Sequence, residues 1–350
     1  KTEMLKMLFR SFAVAGIAIV AATGIADAQE KTFYKMGTFP PGTSVNIIHT
    51  AWANAVNRHV PNAEVQLSAS GPATRHMLQV AAGDMDFSLT SMISIQLMGA
   101  HKGPFKNLKE GDDPAKKLSI VFAHPIGARH YIVFDESPIQ SFADFKGKKV
   151  FLGPPGGTAT QQNLITVKGQ TGYVPGKDFE LVKLNWGPAI QAFQDRKYDV
   201  MMLPGITPDP RIQQIALTSK IRVIGVDEAQ MMADPGTKRI LANPMNSLTD
   251  LAPDAYGSNQ MNTTSVKLVD PKVALAVRAD MDADVVYAMT KAFWENIEEA
   301  HALAPWMSAA VTLDEALFPI PNGIHPGALR YYKEKGLTIP DAFVGGKRVP

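Results

Sequence analysis

Short strand patterns alternate with helix patterns along most of this chain, and this alternation constrains the fold more than any other feature. Strands are predicted at 31–36, 64–68 and 87–89, and the segments between them carry the apolar spacing of helices. A second unit with the same order begins at a strand predicted for 150–152. Strands that alternate with helices form mostly parallel sheets, so the sequence predicts an α/β fold.

The length of the chain predicts two lobes. It has 350 residues, and single apolar cores stop growing at roughly 250–300 residues. We predict lobe one at 31–127 plus 266–350 and lobe two at 128–265, with a hinge crossing at 124–127. The clearest helix is predicted at 282–301, where apolar residues step by 3 and 4. The chain has no cysteine, so the two cores must hold the fold without disulfides.

The N-terminus has the layout of a secretory signal peptide. A basic start precedes an apolar run at 12–22 that is too short to span a bilayer, and the small residues Ala26 and Ala28 follow it. We predict that residues 1–28 are a signal peptide, cleaved near Ala28, and that the mature protein is periplasmic. The formal net charge of +2 gives no indication of a nucleic-acid partner.

Three loops that run from a predicted strand into a helix supply the candidate ligand contacts. Glycine lets the backbone approach a ligand, and a helix N-terminus presents unpaired N–H groups to an anion. Ligands of such folds bind beyond the carboxyl ends of strands, so loops from two facing units meet at one cleft. The candidate ligand-binding residues are Thr38, Thr43, Ser44, Ser70, Arg75, Gly157, Thr158, Ala159 and Thr160.

Two of these candidates have plain structural alternatives. Arg75, about one turn into its helix, could grip a carboxylate with two N–H groups, but a solvated helix-surface arginine fits the same pattern. The loop at 153–160 could bind an anion or be an ordinary strand-to-helix turn. It is not a nucleotide P-loop, because the Gly-Lys-Ser/Thr ending is missing.

Patterns of catalysis and of metal binding are weak in this sequence. It has no thiol nucleophile, no His-Glu-x-x-His and no Gly-x-Ser-x-Gly. His124 and His130 are the closest histidines in sequence and lack the spacing of a metal site. Trp186 fits core packing better than stacking on a ligand. We therefore predict a binding protein with no enzymatic activity, no cofactor and no metal.

Several segments resemble the TAXI solute receptors of TRAP transporters, the tripartite ATP-independent periplasmic uptake systems. The resemblance runs from about Lys31 to Leu337, and its most specific part is the His-Pro-Gly-Ala-x-Arg-Tyr-Tyr ending. The segments that carry it are 82–87 (AGDMDF), 141–150 (SFADFKGKKV) with the GPPG that follows at 153–156, 285–292 (VVYAMTKA) and 324–332 (IHPGALRYY).

The resemblance implies a type II periplasmic-binding fold, in which two α/β lobes joined by a hinge close over a ligand. It implies delivery of an unaltered small molecule, of the amino acid, keto acid or dicarboxylate class, to integral membrane TRAP transporter subunits. Arg75 stands about where the family often has asparagine, and a basic group in the cleft favours an anionic ligand. The alternatives are a binding protein of an ATP-driven importer, a ligand-sensing partner of a sensor kinase and, with less support, a periplasmic enzyme.

Overall fold

The structure is a computed structural model, and it describes residues 31–317 and 323–339. The predicted signal peptide at 1–28 lies outside the described residues. Within the described ranges, no helix has both the length and the apolar character needed to cross a membrane.

The described chain alternates strands and helices as the sequence predicts. The strands are β1 (Thr32–Gly37), β2 (Ala63–Ser68), β3 (Phe87–Thr90), β4 (Leu118–Pro125), β5 (Ala128–Phe134), β6 (Lys149–Phe151), β7 (Glu180–Leu181), β8 (Val200–Gly205), β9 (Ile221–Ile224), β10 (Asn246–Leu251) and β11 (Val266–Arg278). The helices are α1 (Ser44–His59), α2 (Ala73–Ala82), α3 (Met92–Gly99), α4 (Thr158–Thr171), α5 (Trp186–Gln194), α6 (Pro210–Thr218), α7 (Glu228–Ala233), α8 (Pro235–Leu241), α9 (Ala283–Glu295), α10 (Ile297–His301), α11 (Met307–Ala310) and α12 (Pro326–Glu334).

The first sheet has the strand order β10-β11-β3-β1-β2, and β4 also pairs with β11. Strand β1 runs parallel to β2 and β3, whereas β11 runs antiparallel to its neighbours. An aromatic core lies between this sheet and its helices. The ring centroids of Trp52 and Phe87 lie 4.8 Å apart, and the ring of Phe122 stacks on that of Phe293 with 5.2 Å between the centroids. We call this sheet and its helices the first lobe.

The second sheet has the order β7-β6-β8-β5-β9. Strand β6 is parallel to β7 and β8, and β5 is antiparallel to β8 and β9. Its separate core, which defines the second lobe, includes Phe134 stacked on Phe193 at 4.3 Å. The predicted fold class is confirmed: two α/β lobes joined by a hinge, in the type II periplasmic-binding arrangement.

Two chain segments connect the lobes. Ile126 and Gly127 link β4 of the first sheet to β5 of the second. Gly127 has a φ of +91°, and a Cβ there would lie 2.0 Å from the backbone of Gly205, so no other residue fits. The second connection is β11, whose Leu268 and Val269 pack in the second core while its later residues pair with β3 and β4. The lobe limits of 31–127 plus 266–350 and 128–265 stay a prediction, because β11 contributes to both cores.

The helix predicted at 282–301 is interrupted near its C-terminal end. Asp282 caps its start, since its carboxylate accepts from the backbone N–H groups of Asp284 and Val285. At Asn296 the side-chain amide donates to the carbonyl oxygen of Ala292 at 2.8 Å. Asn296 leaves helical geometry, and the segment divides into α9 and α10.

Candidate functional site

A cleft of about 440 Å³ lies between the two lobes. Its walls are loops at the carboxyl ends of β1, β2 and β3 on one side, with the loop after β6 and the start of α5 on the other. The volume lies within the roughly 300–1,000 Å³ of small-molecule sites. The loop residues that line the cleft are Phe39, Pro40, 69–74, 91–94, Pro154, 157–160 and 185–188.

The loop after β6 brings the N-terminus of α4 to the cleft. Gly153 has a φ of +117°, and a Cβ there would lie 2.6 Å from the Oγ1 of Thr160, so the tight turn needs glycine. The Thr160 hydroxyl donates to the carbonyl oxygen of Pro154 at 2.7 Å and holds the loop against the helix. No side chain caps the first turn of α4. Its first N–H groups therefore remain available to an anion in the cleft.

Arg129, the second residue of β5, places a buried cation beside this helix terminus. It lines the cleft and is only 2% exposed. Its Nη2 donates to the amide oxygen of Gln162 on α4, and its Nη1 has no hydrogen-bond partner. Burial lowers the pKa of Arg129, since the protein interior disfavours the charged form. A bound anion would satisfy both the open N–H groups and the buried charge.

All charged side chains of the described cleft lining are basic. Its charged side chains are Arg129 and Lys272, and none of the described lining residues is Asp or Glu. Lys272 forms an ion pair with Glu315. Arg129 therefore supplies the positive charge that a ligand would meet, and an acidic ligand would encounter no carboxylate in the wall.

Three contacts join the lobes across the cleft. The hydroxyl of Ser94 on α3 donates to the Oγ1 of Thr158 on α4 at 3.0 Å, and the hydroxyl of Thr74 donates to a backbone oxygen of the 153–160 loop at 3.3 Å. At the mouth, the rings of Phe39 and Trp186 lie 6.2 Å apart. These contacts can form only when the lobes are close together, so the structure has a closed cleft.

Five of the predicted ligand-binding residues line this cleft. Ser70 lies at the exposed edge on the first lobe, and Gly157, Thr158, Ala159 and Thr160 lie on the second. The structure thus brings together residues from two loops that are more than 80 positions apart in sequence. Their contact with a ligand stays a prediction.

The other four predicted residues lie outside the cleft lining. The Thr38 hydroxyl is buried against His49 at 3.0 Å, Thr43 caps α1, and the Ser44 hydroxyl donates to the carbonyl oxygen of Ile126 at 2.7 Å. These three hydroxyls hold the first loop to α1 and to the hinge. Arg75 is exposed on α2. We do not include these four residues in the proposed site.

Sequence reasoning did not select Arg129. It placed Arg129 at the start of lobe two and outside every candidate loop, whereas β5 begins at Ala128 and all seven of its residues are buried. An arginine in so apolar a strand is the pattern that could have identified it. Trp186 was assigned to core packing, and it does pack 5.5 Å from Phe151, but it also lines the cleft.

The two central histidines belong to separate buried pairs. The Nε2 atoms of His124 and His49 lie 3.3 Å apart, and the Nε2 of His130 lies 2.9 Å from the hydroxyl of Tyr256. Burial lowers the pKa of His124 and of His130 to about 4, so both rings are neutral at pH 7. Across the described ranges, no group of three or more acidic or histidine side chains is placed to hold a metal ion.

A comparison with protein-family models assigns the chain to a family. The model of the NMT1-like family matches residues 36–336. The match spans most of the chain, including both sheets and the cleft between them. The chain therefore belongs to the NMT1-like family.

Solved structures with a similar course of the chain include periplasmic binding proteins. The periplasmic aliphatic sulphonate binding protein SsuA from Escherichia coli is 16% identical, with 86% of this chain and 78% of that chain covered and a TM-score of 0.42. A TRAP periplasmic solute binding protein from Desulfovibrio salexigens, in complex with diglycerolphosphate, is 15% identical, with coverage of 89% and 88% and a TM-score of 0.47. One from Ralstonia eutropha with bound (S)-2-acetolactate is 11% identical, with coverage of 89% and 90% and a TM-score of 0.46.

Proposed function

We propose that this protein is a periplasmic, TAXI-type solute receptor that closes its two lobes over a small carboxylate-bearing molecule and delivers it unaltered to a TRAP-type transporter. The observation that carries the proposal is the guanidinium of Arg129, buried in the cleft with Nη1 unpaired. The resemblance of the 324–332 segment to the TAXI receptors supports the choice of transporter.

The site has the parts that anion capture requires. Arg129 and the uncapped N-terminus of α4 lie on the second lobe, and the Gln162 side chain of α4 holds the guanidinium in place. Arginine presents its N–H groups in a planar fork that matches a carboxylate. The carboxylate would take the open Nη1 and the first N–H groups of α4, and it would complete the pairing of a guanidinium whose charge is balanced only in part by the buried Asp270.

Lobe closure follows from the same geometry. A ligand held by Arg129 on the second lobe contacts the loops of the first lobe only when the cleft is closed. It therefore favours the closed form by the difference in its affinity for the two forms. The contacts from Ser94 to Thr158 and from Phe39 to Trp186 would seal the cleft in that form. The closed surface is then the one that the transporter would recognise.

Thermal unfolding with matched acids and amides tests the proposal. The purified protein is first unfolded and refolded to remove any ligand carried through purification. A binding acid at about 100 times its dissociation constant adds about 2.7 kcal/mol to the stability, which raises Tm by roughly 4–8 °C. The matching primary amide, equal in shape but uncharged, is expected to leave Tm unchanged.

Two outcomes would contradict the proposal. Equal shifts from acids and from their amides would show that charge does not select the ligand. A ligand whose proton NMR spectrum changes during hours of incubation with the protein would show turnover and would favour an enzyme.

A further inference from the structure

The walls of the cleft are largely apolar, although the sequence predicts an anionic ligand. Side chains from the first lobe, the hinge and the second lobe contribute, and most of them are otherwise buried. The main apolar lining residues are Phe39, Met92, Ile126, Trp186, Met202 and Met245. Methionine and aromatic side chains fit apolar ligands of irregular shape, because they combine flexible with flat contact surfaces.

The buried polar side chains of the lining are mostly engaged within the protein. Thr158 accepts from Ser94, and Thr160 donates to the carbonyl oxygen of Pro154. The side-chain amide of Asn246 donates to the carbonyl oxygen of Ile240 at 2.8 Å. The amide oxygen of Gln162 accepts from Arg129, and Lys272 forms an ion pair with Glu315. Among the described lining residues, Arg129 has the only buried side-chain nitrogen or oxygen without a hydrogen-bond partner.

The apolar walls and the engaged polar side chains together determine which ligands the cleft can bind. Hydroxyl groups of a sugar acid, or a second carboxylate, would lose their water in the cleft and meet few open partners there. The ammonium group of an amino acid would meet Arg129 and Lys272, and none of the described lining residues is acidic. The buried Asp270 lies outside that lining and already faces both cations. An alkyl or aromatic body gains from the same walls by leaving water.

We infer that the ligand is an amphiphilic monoanion, with one acidic head group on Arg129 and an apolar body against the walls of both lobes. The inference rests on the proposed function, since it takes the anion site at Arg129 as given. It narrows the ligand class to apolar monocarboxylates and excludes amino acids, dicarboxylates and sugar acids as the preferred ligands.

A matched set of six-carbon acids tests this inference. The dissociation constants of hexanoate, gluconate, adipate and norleucine are measured by isothermal titration calorimetry, together with the series from propanoate to hexanoate. Hexanoate is expected to bind at least about tenfold more tightly than the other three six-carbon acids, because only its body can replace water without losing hydrogen bonds. Each methylene added from propanoate to hexanoate is expected to tighten binding by about threefold to fourfold.

Two variants separate binding of the acidic head group at Arg129 from binding of the apolar body at the cleft walls. F39A removes an apolar wall at the mouth, where Phe39 is only half-buried, so it is expected to weaken hexanoate more than propanoate and thus to reduce the gain per methylene. R129M is expected to weaken every member of the series by a similar factor.

The outcomes distinguish the inference from the function on which it rests. If affinity does not rise with chain length, or if gluconate or adipate binds as tightly as hexanoate, the inference is wrong. The function stands if that binding still depends on Arg129. If none of these acids binds and none shifts Tm, both the inference and the anion site at Arg129 are wrong.

Discussion

Replacing Arg129 with methionine is expected to weaken binding of the acidic ligand by at least about 30-fold without unfolding the protein. Truncating one partner of a buried, hydrogen-bonded charge pair typically costs about 2–5 kcal/mol of binding free energy. The ligand-free variant should lose some stability but remain folded, because R129M leaves the amide oxygen of Gln162 without its donor and the buried carboxylate of Asp270 without its cationic neighbour. Methionine also keeps most of the apolar stem in place. Calorimetric titration and urea unfolding measure the two effects separately.

Arg75 provides the matched control for this experiment. It is exposed on α2 and lies outside the cleft lining, so R75M is expected to leave affinity and stability unchanged. R129K keeps a cation but loses the planar fork, and it should bind with intermediate affinity. Wild-type affinity in R129M would contradict the assignment of the anion to Arg129, and loss of binding in R75M would return the site to the residue that the sequence favoured.

Acidification from pH 7 to pH 4.5 is expected to destabilise the protein strongly through its buried histidines. Burial lowers the pKa of His124 and of His130 to about 4, whereas both have a pKa of about 6.5 in the unfolded chain. Between these values the unfolded state binds more protons than the folded state, so stability falls as pH falls. Each ring should cost about 2–3 kcal/mol by pH 4.5, and the loss ends below about pH 4.

The hydrogen bonds of the two rings explain why they remain neutral. The Nδ1 of His124 lies 3.0 Å from the carbonyl oxygen of Pro125 and that of His130 lies 2.9 Å from the carbonyl oxygen of Ala128, so each Nδ1 donates. The Nε2 of each ring is then an acceptor, towards His49 and towards Tyr256 respectively. A second proton on either ring would break its acceptor bond and place a charge in the core.

Urea unfolding at pH 7 and at pH 4.5 checks this expectation. H124Q and H130Q are each expected to lower stability at pH 7 but to lose about 2–3 kcal/mol less than the wild type on acidification. If H124Q and H130Q show the same acid loss as the wild type, the two buried rings are not the groups that titrate.

The sequence predicted the fold well because the fold depends on local patterns. Local patterns of this kind are the strand and helix spacing at 31–89, the glycine loop at 153–160 and the capping aspartate Asp282. The 13-residue β11 depends instead on segments that are distant in sequence. Its earlier part pairs with β10, and a pairing between distant segments leaves no local pattern to detect.

The candidate site was predicted less completely because it depends on which side of an element faces the cleft. Thr158 and Thr160 follow a recognisable loop, and they line the cleft. Arg75 has the right chemistry, but its position on α2 points it to solvent. Arg129 has the same chemistry in a strand where sequence alone does not separate the cleft side from the core side. The hydrogen bond from Arg129 to Gln162 of α4 and the place of Arg129 in the cleft lining become visible only in the folded chain.

A crystal structure of the protein with the tightest-binding acid tests the central claim most directly. The predicted result is a carboxylate within hydrogen-bonding distance of the Nη1 of Arg129 and of the first N–H groups of α4, with both lobes in contact with the ligand body. A ligand bound outside the cleft, or inside it with the Nη1 of Arg129 still unpaired, would contradict the claim.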